Sequence, residues 1–257
     1  MSPLIATQES RDLLDTIAAI ASMVDELSIL PSTQPSIYID LEGVNLSRHG
    51  TISILQIHVG TTRQTYLVDI KTLGRLAFTT QGRRFYSTLK YILESPSIPK
   101  VFFDVRRDSD ALYSHYGIAL QGVQDLQLME LATRQFGRSF VCGLGKCIEN
   151  DMPMTMTEKS NFLKTKQEGL KLFDPNKGGS YQVFNQRPLP EKIRIYCVQD
   201  VHYLPGLWDV YNRKLTAQWK TRVQKATEDR VAQSQAQGFR DGPHMSRAPE
   251  GWDNPFF

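Results

Sequence analysis

The stretch SIYIDLEGVNLSRHG, Ser36–Gly50, decides how the rest of the chain is read. Ile37 to Leu41 is apolar except for Asp40, and Glu42 follows at once. In a β-strand, residues i and i+2 point to the same face, so this pattern sets two carboxylates side by side. Such a pair is self-repelling and loses hydration when buried. It therefore needs a metal cation, an arginine or solvent at the strand's end, and the remaining sequence has to say which.

Two more strand-like runs follow, 51–59 (TISILQIHV) and 64–70 (QTYLVDI). The links NLSRHG and GTTRQ are short enough for antiparallel hairpins. Upstream, Leu13, Leu14, Ile17, Ile20, Ala21 and Val24 recur at helical spacing and predict a helix over 8–28, closed off by PSTQP. Downstream the pattern predicts a helix over 82–94, a strand KVFFD at 100–104, a helix from Arg107, a short strand at 123–125 and a helix over 126–136. From Gly143 to Asn185 periodicity weakens, and DPNKGGS reads as a loop. A long helix is predicted from Pro190 to about Leu215, kinked or split at Pro205. The segment 238–257, rich in Gly, Pro and polar residues, has no core of its own. Three strands followed by alternating helices and strands predict a single mixed α/β layer fold. The expected division is a helix and linker over 1–35, a central domain over 36–215, and a helical extension with a flexible tail over 216–257.

The bulk properties narrow the function classes. With 257 residues, 40% hydrophobic and 22% charged, the chain can bury a sizeable core without disulfides. Cys142, Cys147 and Cys197 are too few for a disulfide framework and lack the partners of a closed zinc site, so buried unreactive thiols are expected. A net charge of +3 permits nucleic-acid binding without demanding it. No apolar run is of membrane-spanning length, and the acidic N-terminal stretch lacks the basic start of a signal peptide. The cytoplasm or nucleus is the expected location.

Further carboxylates can join Asp40 and Glu42. Asp108 follows the KVFFD strand at the start of a helix, with Asp110 competing for the same place. Asp200 lies on the late helix, one turn after Tyr196, so both project from one helical face. In this order the motifs resemble the DEDD superfamily of 3′–5′ exonucleases, in the subclass with Tyr-x-x-x-Asp as its last motif. The match covers roughly residues 36–213, and is similar to ribonuclease D, the nuclear-exosome exonuclease and the eukaryotic 3′–5′ exonuclease domain-containing proteins. The resemblance implies a ribonuclease-H-like α/β fold, with three antiparallel strands and then parallel strands in a mixed sheet flanked by helices. It implies two divalent cations, Mg²⁺ or Mn²⁺, held by Asp40, Glu42, Asp108 and Asp200, with Tyr196 orienting the attacking water. Asp108 is preferred to Asp110 on its offset from the strand. The backbone of Gly43, Val44 and Asn45 would lie near the last nucleotide. Asp125 would support the site from behind, and Asp104 would either be an accessory ligand beside it or pair with Arg106 or Arg107. The expected partner is single-stranded nucleic acid, RNA favoured, cut to nucleoside 5′-monophosphates.

Blander readings stand beside these. CGLGKC at 142–147 lacks phosphate-loop spacing, and His58, His115 and His202 read as ordinary surface or core histidines. Lys159, Lys164, Lys166, Lys171, Lys177, Arg187, Lys192 and Arg194 form either a solvated face or a phosphate track. Phe162, Phe173, Tyr181 and Phe184 either stack bases or form a small core. At the level of the whole chain, the rivals are a non-catalytic, possibly dimeric, RNA-binding adaptor and a protein that binds a partner through its ends.

Overall fold

The computed structural model describes residues 13–253. Five strands form one sheet in the order β3-β2-β1-β4-β5. They are β1 (Ile37–Glu42), β2 (Ile54–Val59), β3 (Gln64–Asp69), β4 (Lys100–Phe102) and β5 (Val123–Asp125). β1, β2 and β3 pair antiparallel, with Asp40 opposite Gln56 and Leu55 opposite Val68. β4 and β5 add to β1 in parallel. This is the mixed sheet that the sequence predicts.

Alternation along β1 divides the molecule. Ile37, Ile39 and Leu41 enter one apolar core with α1 (Ile17–Ser28), α4 (Leu89–Glu94) and α5 (Arg106–Tyr116). Tyr38 faces the other way, into a second core built by α6 (Leu126–Thr133), α7 (Leu144–Asp151), α8 (Met156–Phe173), α10 (Leu204–Lys214) and α11 (Ala217–Gln235). Asp40 and Glu42 share the face of Tyr38. A third cluster seats α9 (Glu191–His202) on β2 and β3 through Ile193 and Cys197 against Ile54 and Leu67. Two single-turn helices, α2 (Ile70–Leu73) and α3 (Leu76–Thr79), follow β3.

Several elements depart from their predicted bounds. α1 starts at Ile17 under a Thr16 cap. Leu13 and Leu14 are not helical: Leu14 N–H donates to Leu67 O (2.7 Å) and Asp69 N–H to Leu14 O (2.9 Å). Bonding to the open edge of β3 replaces the first helical turns. Residues 8–12 of the predicted helix lie outside the described residues. Only 89–94 of the predicted helix 82–94 is helical. The Asp25 carboxylate accepts from the N–H groups of Arg83 and Arg84 (2.9 Å each), which fixes a turn there instead. The weakly patterned stretch from Gly143 holds α7 and α8, and α8 opens with a complete capping box between Thr155 and Glu158. The split at Pro205 is found: Tyr203 separates α9 from α10, and Pro205 sits in the first turn of α10. The described part of the tail packs closely, with Trp252 buried against Trp219. No described helix is long and apolar enough to cross a membrane.

Candidate active site

The carboxyl ends of β1 and β4 open onto a cleft of about 850 Å³. Asp40 and Glu42 reach into it from β1, Asp108 from the first turn of α5, and Tyr196 and Asp200 from successive turns of α9. Asp40, Glu42 and Asp200 each present a carboxylate oxygen, all within 4.8 Å of one another. Asp108 stands outside that tight group but close enough for its charge and that of Asp40 to act on each other. Burial and the neighbouring charge of Asp200 push the Asp40 carboxyl up to about 7. Burial, then the charges of Asp40, Asp200 and Asp108, carry Glu42 well above the carboxylate range. Asp108 moves the same way through burial and Asp40. Crowded, hard oxygen donors with this much unrelieved repulsion fit a divalent cation such as Mg²⁺ or Mn²⁺.

Tyr196 is held by its surroundings. Phe173 packs on its ring at 5.0 Å between centroids. α8 passes so close that a Cβ at Gly169 would stand 2.4 Å from Tyr196 Cδ2. Burial and the charge of Asp200 raise the phenol well above its usual value, so it is a hydroxyl donor at neutral pH. Lys166 reaches over from α8, with Nζ 3.5 Å from Asp200 Oδ1 and 5.6 Å from the Tyr196 ring centroid. Its charge offsets part of the repulsion at Asp40 and Glu42. Its stem passes Gly145, where a Cβ would meet Lys166 Cε at 3.0 Å.

A 3′–5′ exonuclease family signature matches residues 12–216. The chain belongs to the 3′–5′ exonuclease family. Among curated proteins it is similar to the human piRNA biogenesis protein EXD1, 32% identical over 168 residues that cover 64% of this chain and 30% of the human protein. The silkworm (Bombyx mori) piRNA biogenesis protein EXD1 is 26% identical over 199 residues, covering 75% of this chain and 53% of that one. The matches thus span from under a third to about half of these relatives' length. Among solved structures, Trypanosoma brucei RNase D in complex with RNA U12 superposes with a TM-score of 0.69 at 20% identity, over 93% of this chain and 76% of that one. Escherichia coli RNase D gives 0.55 at 18% identity, over 88% and 50%. The fold is that of RNase D.

Within this exonuclease-family frame the other predicted site residues separate. Asp110 is occupied elsewhere, accepting from Arg48 N–H and Nε (2.7 Å each), which leaves Asp108 facing the cleft. Asp104 lies at the cleft's edge with φ +60 and is paired with Arg106 (Nη2 to Oδ2, 2.7 Å). Asp125 is fully buried behind it. Its carboxylate accepts from the N–H groups of Asp104 (3.0 Å), Val105 (3.3 Å) and Gln127 (3.0 Å), and from Arg230 Nη1 (2.7 Å). It therefore fixes the turn that delivers Asp108. Gly43 and Asn45 line the cleft, whereas Val44 does not: its backbone pairs with Thr51. At Gly43 any side chain would strike Thr51 O, 1.9 Å from an ideal Cβ.

The predicted basic track is largely paired off. Arg187 binds Asp69, Arg194 binds Glu191, Lys192 lies 3.4 Å from Glu168, and Lys159 donates to Glu149 O. Phe162 and Phe184 are core residues, while Phe173 and Tyr181 line the cleft. The sequence reading missed the cleft's other wall, made by Val141–Leu144 and by Asp241, Gly242, Met245 and Ser246 of the C-terminal segment. No local motif marks that wall. It forms because Arg107 pairs with Asp241 (2.9 Å) and Arg106 donates to Met245 O (2.8 Å).

Proposed function

We propose that the chain is a metal-dependent 3′–5′ exonuclease acting on single-stranded nucleic acid, RNA in preference to DNA, with release of nucleoside 5′-monophosphates. The observation that carries this reading is the triad of carboxylates within 4.8 Å, facing a cleft beside Tyr196, in a chain of the exonuclease family. Asp40, Glu42, Asp108 and Asp200 would hold two divalent cations, which supply charge neutralisation at the attacking and leaving oxygens. Tyr196 keeps its proton and orients water by a hydrogen bond. Lys166 places a positive charge next to Asp200, where a phosphate oxygen can accept from it. Gly43 and Asn45 leave a backbone edge open for the terminal nucleotide. Residues 36–215 are taken as the unit that carries the chemistry, and 216–257 as the segment that completes the cleft's wall.

The test uses 5′-labelled single-stranded RNA and DNA of one sequence with Mg²⁺, Mn²⁺ or EDTA, beside Asp40→Ala/Glu42→Ala. The expected result is a metal-dependent ladder from the 3′ end, stronger on RNA and absent from the double variant. A second reading, an RNA-binding adaptor without turnover, is favoured by the piRNA-biogenesis names of the curated relatives. RNA bound with no ladder under any metal would decide for it.

A further inference from the structure

The loop Arg134–Phe140 (RQFGRSF) leaves α6 and runs into the Val141–Leu144 wall, yet the proposed chemistry uses none of it. Phe136 is 81% exposed and Phe140 59%. The Arg138 guanidinium lies 4.6 Å from the ring centroid of Trp219, and Arg222 lies 4.4 Å from the same ring. Neither arginine meets a carboxylate among the described residues, and Arg138 Nε is buried with no hydrogen-bond partner. Burial and the charge of Arg222 hold Arg138 below its ordinary pKa. Two guanidiniums gathered on one indole without a counter-charge form a site that an anion would relieve.

This surface continues into a groove of about 690 Å³ between α11 and the segment 244–252, lined by Arg222, His244, Arg247 and the buried Trp252. Other cations there are already matched: Arg230 to Asp125, Arg106 to Asp104 and Lys225 to Asp229. Asp229 and Glu250 are the acidic residues of the lining. Arg247 has no carboxylate partner among the described residues. The groove joins the cleft directly. Phe140 forms a β-bridge with Arg247, Val141 N–H donates to Ser246 O (2.9 Å), and Val141 and Ser246 both line the cleft.

We propose that this loop and groove form the track for the single strand upstream of its 3′ end. Arg138, Arg222 and Arg247 take phosphates, and Phe136 and Phe140 stack bases. Exposed rings interleaved with guanidiniums that have no carboxylate partner among the described residues (Arg222 donates only to Gly251 O, 3.1 Å) suit a flexible polyanion that has π-faces, and suit an acidic peptide less well. The proposal rests on the nucleic-acid reading of the cleft.

The test measures binding of fluorescent 4-mer and 16-mer single-stranded RNA by anisotropy in EDTA, and trimming of the 4-mer in Mn²⁺. The variants are R222A/R247A and F136A/F140A, checked for folding by circular dichroism. Wild type should hold the 16-mer at least tenfold more tightly than the 4-mer. Both variants should lose that advantage while trimming the 4-mer normally. R222A/R247A should also flatten the slope of log affinity against log salt by roughly 1.4, at about 0.7 per phosphate contact on a single strand; F136A/F140A should leave that slope alone. Should the first variant fail to fold, the exposed pair Phe136 and Phe140 still carries the test. Wild type that binds both lengths equally, or variants that hold the 16-mer like wild type, would overturn the track. Loss of 16-mer binding in a protein that trims nothing would uphold the track while sinking the exonuclease reading.

Discussion

Asp40 carries the clearest pH signature. Its carboxyl is raised to about 7 by burial and Asp200, against about 3.9 in an unfolded chain. In metal-free protein, protonation relieves the repulsion, so Asp40 contributes stability that is present below about pH 4 and lost as pH rises through 7. A cation must displace that proton and those held by the likewise raised Glu42 and Asp108, so Mn²⁺ affinity should fall at least tenfold per pH unit from pH 7 to 5. Calorimetric titration in two buffers of different ionisation heat would count the protons released; no proton uptake by buffer at pH 6 would refute this. Tyr196→Phe keeps the packing with Phe173 and removes the hydroxyl, and should lower kcat about 10²-fold or more without moving the melting temperature. Gly169→Ala drives a methyl into the Tyr196 ring, 2.4 Å from Cδ2. It should cost about 1–3 kcal/mol and reduce kcat as Tyr196→Phe does, read by denaturant unfolding and single-turnover trimming. The carboxylates and the tyrosine were legible in the sequence because strand and helix periodicity places them. Gly169 was not, and Lys166 was legible only as one of a run of basic residues, because α8 crosses the site from a stretch whose role depends on tertiary contact.

At the scale of elements, the turn between β4 and α5 depends on one buried carboxylate. Asp125 satisfies the N–H groups of Asp104, Val105 and Gln127 and the charge of Arg230 together. Asp125→Ala would strand a buried guanidinium and three amides, and should destabilise the protein by about 3–5 kcal/mol in urea unfolding. Asp104 sits at φ +60, so Asp104→Gly should be tolerated in backbone terms while freeing Arg106. The strands were readable because each is a short run rich in apolar and β-branched residues bounded by turn residues, β2 and β3 being buried almost throughout. The N-terminal helix was overextended because Leu13 and Leu14 fit a helical stripe as well as a sheet edge, and only pairing with β3 decides between them. α8 is hard to read from sequence although Thr155 and Glu158 spell a capping box, since Phe162 and Gly169 are its sole buried residues and its apolar stripe is thin.

At the scale of the whole molecule, the sheet sets the site and the C-terminal segment closes it. Removing 236–257 takes away Asp241, Met245 and Ser246 from the cleft and uncovers Trp219. The truncated protein should keep its far-ultraviolet circular dichroism and lose trimming at least tenfold, measured on the same labelled RNA; unchanged trimming would show that the wall is passive. Arg48 stands at the junction. It bonds Asp110 on α5 and the carbonyls of Ser234, Ala236 and Gln237 where α11 ends, all at 2.7–2.8 Å, and belongs to the loop that leaves Glu42. One guanidinium thus couples three distant stretches of chain as a rivet couples plates. A pull on the end of α11 is therefore passed through Arg48 to the loop beside Glu42. The candidate cleft should open at a lower force than the sheet beneath it, as an optical trap pulling on that end would measure.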